Sequence, residues 1–316
     1  MKRFLALFLC IAITALPLSG CGTLQDPAED GKFSIIATIF PIYDWVNKIA
    51  GSSENVEVTL LLDSGIDLHN FQVTADDIIR ISTCDMFIYV GGESDEWVED
   101  TLAEAANENM IVINLLDVLG DRAKEEEVVD GMQGEQENSE DAEYDEHVWL
   151  SLKNASFFCQ YISEQLQNAD QTNADAYKEN ASAYIEQLNE LDGEYSEAVE
   201  SAARDTLLFG DRFPFRYLTD DYGLNYYAAF MGCSAETEAS FETITFLAQK
   251  ADELDLSVIL QIETSDGSIP NTIKQSTEAK NQTILTMNSL QSSAKDGTSY
   301  ISAMRDNLEV LKAALE

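Results

Sequence analysis

The chain has 316 residues, with 58 acidic and 18 basic side chains and a formal net charge of −40. So acidic a surface repels nucleic acid and anionic lipid headgroups and mildly concentrates cations, although salt screens that field within roughly 8–10 Å. The length suits two domains of ordinary size, and the five widely spaced cysteines do not make a disulfide framework.

Residues 1–20 read as a processing signal. Lys2 and Arg3 form a positive start, and Phe4–Leu16 is an apolar run too short to remain across a bilayer. Leu18-Ser19-Gly20-Cys21 has the form of a bacterial lipobox, in which the cysteine is acylated and becomes the new N-terminus. This predicts an extracytoplasmic protein, lipid-anchored to the cell membrane through Cys21, with residues 21–32 as a tether.

From residue 33 the pattern alternates. Strands are expected over Phe33–Ile39, Val56–Leu62, Met86–Val90 and Met110–Leu115, separated by helices Pro41–Ala50, a Thr74-capped helix to Ser82, and one around Trp97–Ala106. Short Val- and Ile-rich runs between helices argue for βα units and a parallel sheet. Glu125–Glu146 then carries eleven acids and no basic residue, which predicts a mobile acidic loop. The chain turns helical from His147. Ala174, Tyr177, Ala181, Tyr184, Leu188, Leu191, Tyr195, Ala198 and Ala202 form one apolar stripe at spacings of three and four, predicting one long helix over 173–204 with a possible bend at Gly193. Strands Thr206–Phe209, Asn225–Phe230, Ser257–Ile262 and Thr283–Met287 follow, and helix Ser299–Leu315 closes the chain. The expected fold is α/β: a lobe over 33–172 and a lobe over 205–316, both with parallel-type sheets, joined by the long helix.

Only two histidines occur. His69 follows the strand Val56–Leu62, at the end of a parallel strand where ligands of such sheets bind. His147 sits between the acidic run and the following helix. Imidazole is the commonest ligand for first-row cations, but each residue reads equally well as an ordinary hydrogen-bonded histidine, and spacing alone does not bring them together.

The surrounding stretches "ATIFPIYDWVNKIAG" (37–51), "GIDLHNFQVTADDI" (65–78), "DEHVWLSL" (145–152) and "YISAMRDNLEVLKAAL" (300–315) resemble the metal-binding lipoproteins of zinc and manganese ABC transporters, the cluster A-I solute-binding family. The resemblance runs over the mature chain in order. It implies two lobes, a rigid connecting helix and a divalent cation in the cleft between them. It further implies that His69 and His147 are both ligands, that the partner is a membrane ABC permease, and that the protein is a monomer and not an enzyme. Zn²⁺ is the expected ion, with Mn²⁺ the alternative. Trp149 is expected to pack beside the site, and Asp145 or Glu146 to orient His147.

The chain departs from that family where the second lobe should supply ligands. Gly210 and Asn288 stand at the aligned positions, and neither offers a charged group. Glu263 is the first substitute and Asp211 the second, both at expected strand ends. Cys233 and Glu236 are further candidates, although Cys233 reads better as a small buried residue than as a ligand. Each carboxylate also has a plain structural reading, Asp211 as a partner of Arg212 or Arg216 and Glu263 as a helix cap. A surface adhesin with a structural metal is the alternative function. A metallohydrolase ranks last, since no HExxH-type helix is present.

Overall fold

A computed structural model describes residues 31–62, 67–134, 143–234, 238–291 and 297–316. The leader, Cys21, nearly all of the tether, the middle of the acidic run (135–142) and Glu236 lie outside the described residues. Among the described residues no helix is long and apolar enough to cross a membrane.

The first half runs β1 (Phe33–Ala37), α1 (Phe40–Ala50), β2 (Val56–Leu60), α2 (Ala75–Thr83), β3 (Met86–Tyr89), α3 (Trp97–Ala103), β4 (Ile111–Asn114) and α4 (Leu115–Leu119). Then come α5 (Leu152–Ala169) and α6 (Ala174–Glu200). The second half is β5 (Thr206–Phe213), α7 (Arg216–Tyr222), β6 (Asn225–Met231), α8 (Phe241–Glu253), β7 (Val258–Gln261), α9 (Ser268–Ser276), β8 (Thr283–Thr286) and α10 (Tyr300–Leu315). Each half holds one four-stranded sheet, ordered β2-β1-β3-β4 and β6-β5-β7-β8, and every pairing is parallel. The repeated order is the one in which a crevice opens at the carboxyl ends of the strands.

Local chemistry sets the boundaries. Thr74 caps α2 through a reciprocal box with Asp77, as its sequence predicts. Asn114 caps α4, so Leu115 opens a short helix instead of ending a strand. Strand β5 extends four residues past Phe209, with a register shift between Phe209 and Arg212. Gly210 and Asp211 therefore lie within the strand, not after it. A Cβ on Gly210 would stand 2.8 Å from the Pro270 backbone, so glycine is what lets α9 pack onto β5.

Helix α6 has 27 residues, about 40 Å at 1.5 Å per residue. It is shorter than the apolar stripe suggests, because Ser201 Oγ donates back to the Glu197 carbonyl and Arg204 N donates to the Leu315 carbonyl, steering the chain into β5. It runs unbroken through Gly193. Tyr177, Ala181, Tyr184, Leu188, Leu191 and Tyr195 are buried along it, and it packs on α5, α1 and α10. One hydrophobic cluster runs from Ile35 through this stripe to Leu315, so the two halves share a core.

The ends of the acidic run are tied down, contrary to a loop mobile throughout. Glu125 and Tyr144 form an antiparallel bridge, and Asp145 N donates to the Lys124 carbonyl. Further along, Gln133 N donates to the Ala229 carbonyl beside β6.

Leu188 is fully buried, and Leu188→Ala is expected to lower unfolding free energy by about 2–5 kcal/mol in urea melts. A Cβ on Gly193 meets nothing within 4 Å, so Gly193→Ala is expected to raise it by up to about 1 kcal/mol in the same melts.

Candidate metal centre

Both histidines are presented by single 3₁₀ turns. Asp67 opens the turn Leu68–Asn70 by accepting from His69 N at 3.1 Å, and its other oxygen takes the Arg212 guanidinium at 2.6 Å. Burial opposes the Asp67 charge, but Arg212 outweighs it and holds the carboxyl below its ordinary value. His69 Nδ1 lies 2.7 Å from Ser94 Oγ, and Ser94 N donates to Glu146 Oε1 at 2.7 Å. Ser94 stands in a 3₁₀ turn after β3, and Asp95 there accepts from Val90 N and Gly91 N, both at 3.0 Å.

His147 is fully buried just before the turn Val148–Leu150. Asp145 Oδ1 accepts from His147 N at 2.8 Å and from Nδ1 at 3.0 Å. The proton on Nδ1 leaves the Nε2 lone pair free to bind. Burial would lower the pKa of His147, but Asp145 outweighs it and raises it. His69, buried beside a second imidazole, is pushed down to about 3 and is neutral. Trp149 packs on His147 with ring centroids 5.2 Å apart, as expected.

The two rings, 78 residues apart in sequence, meet with their Nε2 atoms 3.3 Å apart. Two nitrogens on a tetrahedral Zn²⁺ at the usual 2.0–2.1 Å stand about 3.3–3.4 Å from each other. The Cys233 thiol, in the turn after β6, completes a group with His69 and His147 whose ligand atoms all lie within 4.8 Å. Gln291, in the turn after β8, brings its amide Nε2 to 2.5 Å from His147 Nε2 and 3.2 Å from His69 Nε2. Its Oε1 is buried and has no hydrogen-bond partner among the described residues, nor has Glu146 Oε2. Burial pushes Glu146 up to about 7 and, with Glu146, Glu126 and Asp145 nearby, holds the Cys233 thiol well above its usual range. Beside the group a cavity of about 690 Å³ is lined by His69, Ser94, Asp211, Arg212 and Cys233 among others.

The carboxylates expected from the second half do not join this group. Glu263 is occupied by Ser289, accepting from its N and its Oγ at 2.8 Å each. It orders the turn that carries Gln291. Asp211 lines the cavity but accepts from Arg212 N and Ile262 N, tying β5 to β7, and the Arg212 side chain goes to Asp67 instead. Asn288 accepts from Leu290 N inside its own turn. The residue that reaches the histidines is Gln291, three positions on, at the end of "MNSLQ"; a neutral amide after a strand gave no chemical signal. Cys233 was visible as a candidate, but only its convergence distinguishes it from a packed thiol. Asp145 takes the orienting role on His147, while Glu146 serves Ser94 and the far side of His69, 3.8 Å from its Nδ1.

Known proteins resemble this chain over most of its length. The sequence model of the family described as ZnuA, zinc-uptake complex component A, periplasmic, matches residues 35–314. The zinc-binding lipoprotein AdcA of Streptococcus pneumoniae is 29% identical over 306 residues, covering 96% of this chain and 60% of that protein. The chain thus spans about three-fifths of that relative's length. The high-affinity zinc uptake system protein ZnuA of Bacillus subtilis is 27% identical over 328 residues, covering 99% of this chain and 98% of that one. The Zn(II)-bound ZnuA-like domain of the pneumococcal AdcA superimposes with a TM-score of 0.71 at 26% identity, covering 90% of this chain and 99% of that domain.

A Cβ on Gly232 would stand 2.8 Å from His147 Cε1 and 3.1 Å from Nδ1. Gly232→Ala is expected to displace the imidazole and weaken cation binding on the order of 10–100-fold, measured by competition with a chromogenic chelator, with the far-ultraviolet circular dichroism unchanged. Burial pushes the Asp95 carboxyl from 3.8 up to about 6, so the folded chain holds its proton more tightly. Its contribution to stability is present below pH 3.8 and is lost as pH rises through 6. Urea midpoints from pH 4 to 7 should show wild type declining relative to Asp95→Asn across that window.

Proposed function

Because the chain belongs to the ZnuA family, component A of periplasmic zinc-uptake complexes, we propose that it is an extracytoplasmic receptor that captures Zn²⁺ and delivers it to a membrane ABC permease. The observation that carries this is the 3.3 Å separation of the His69 and His147 Nε2 atoms, the spacing a tetrahedral zinc requires. The ion is cargo. The residues around the site present lone pairs and negative charge to it.

Three further points belong to this reading. Zinc, and not manganese, is the physiological cation, supported by the zinc named for the relatives and by the two-imidazole core. Acylation of Cys21 holds the receptor on the membrane surface, supported by the Leu18–Cys21 sequence and by a relative that is a lipoprotein. One chain suffices, since His69, His147 and Cys233 converge within it. Residues 33–172 and 205–316 act as the two halves that meet over the ion, with 173–204 between them.

Purified mature chain is expected to carry about one zinc, and free Zn²⁺ at one hundred times Kd to stabilise it by about 2.7 kcal/mol. His69→Ala and His147→Ala should each abolish most of that stabilisation in thermal melts. A wild-type chain that binds no ion, or variants that respond to zinc as wild type does, would overturn the proposal.

A further inference from the structure

Among the described residues, the second half of the chain brings no carboxylate into the group formed by His69, His147 and Cys233. We infer that the Cys233 thiolate is the third ligand, with the Gln291 amide oxygen as the fourth, so that the receptor takes its cation through an N₂SO set and selects for thiophilic ions. This rests on the receptor reading above and names the chemistry of its site.

Three observations carry it. The Sγ of Cys233 and the two imidazole nitrogens already lie within 4.8 Å of one another. Around a tetrahedral zinc, sulfur at 2.3 Å and nitrogen at 2.0–2.1 Å stand about 3.6 Å apart, so the three atoms are no more than about 1.2 Å wider than a bound set. Gln291 is only 1% exposed, its amide nitrogen stands 2.5 Å from His147 Nε2 and 3.2 Å from His69 Nε2, and its oxygen is buried without a partner among the described residues. The oxygen assignment follows from one turn of the terminal amide: the nitrogen leaves the histidines and the oxygen faces the point they share. The two carboxylates expected from the second half are engaged elsewhere. Glu263 is held by Ser289 and Asp211 by two backbone amides, while the Arg212 guanidinium at the cavity pairs with Asp67.

On binding, the S–H bond of Cys233 breaks, a Zn–S bond forms and the proton passes to water. No oxidant or reductant is involved. The resulting ligands carry one negative charge, with Asp145, Glu146 and Glu126 placed around them. Thiolate and imidazole suit Zn²⁺, Co²⁺ and Cd²⁺, whereas Mn²⁺ favours hard oxygens in higher coordination, which this set does not supply.

The test uses the full mature chain loaded with one equivalent of Co²⁺. Wild type should show a thiolate-to-cobalt charge-transfer band in the near ultraviolet, and Cys233→Ser should lose it while binding Zn²⁺ on the order of 100-fold more weakly. Circular dichroism of the metal-free variant checks its fold. A second measurement needs no variant: Zn²⁺ should protect Cys233 of wild type from alkylation by iodoacetamide, and Mn²⁺ at the same concentration should not. Stoichiometric Co²⁺ without the band, a band that survives Cys233→Ser, or alkylation indifferent to zinc each overturns the thiolate assignment and leaves the receptor reading standing. Failure of wild type to retain any of these ions overturns the receptor reading itself.

Discussion

The indole of Trp149 donates to the Ser289 carbonyl at 2.8 Å, and the Trp149 carbonyl accepts from the Tyr300 hydroxyl at 2.6 Å. These two bonds join the turn that carries His147 to the turn that carries Gln291 and to the start of α10. All three groups are buried, so each bond is made away from competing water and would be costly to leave unmade. Asp44 adds a third tie, accepting from Tyr300 N at 3.2 Å and from the Tyr184 hydroxyl at 3.1 Å, which brings α1 and α6 onto the same knot. The position of His147 relative to the second half is thus fixed by packing and hydrogen bonds that do not involve a cation.

Electrostatics around the histidines are arranged in two layers. Asp145 faces His147 and fixes its tautomer, and Asp67 holds the His69 turn while Arg212 neutralises it. Behind them Glu146 and Asp95 are pushed toward the protonated form by burial. The large net negative charge of the chain is mostly a surface property and screens quickly; the buried carboxyls act at short range, where screening is weak.

Much of the fold was legible. Alternating apolar runs and helix caps located all eight strands and the long helix, because burial on both faces of a parallel sheet leaves a dense Val/Ile signal. Both histidines could be placed at element ends from that pattern. The contribution of the second half could not. Its outcome turns on a bulge that puts Asp211 inside β5, on Ser289 drawing Glu263 away, and on a turn through Leu290, at φ 60°, that aims Gln291 inward. None of these has a periodic signature. A serine that captures a carboxylate and an amide that replaces one differ from their neighbours only in where the backbone points them. The acidic run misled for a related reason: its composition predicts disorder, yet Asp145 and Glu146, at its end, are buried by contacts with distant residues.

The stripe of α6 is covered by helices from both sides of the chain, so the two halves share one interior beside the smaller cluster that each keeps for itself. Rotation of one half against the other would expose part of that shared stripe to water, at roughly 1.5–3 kcal/mol for each large apolar side chain uncovered. Motion at the site costs less when it is confined to the short turns bearing His69, Cys233 and Gln291.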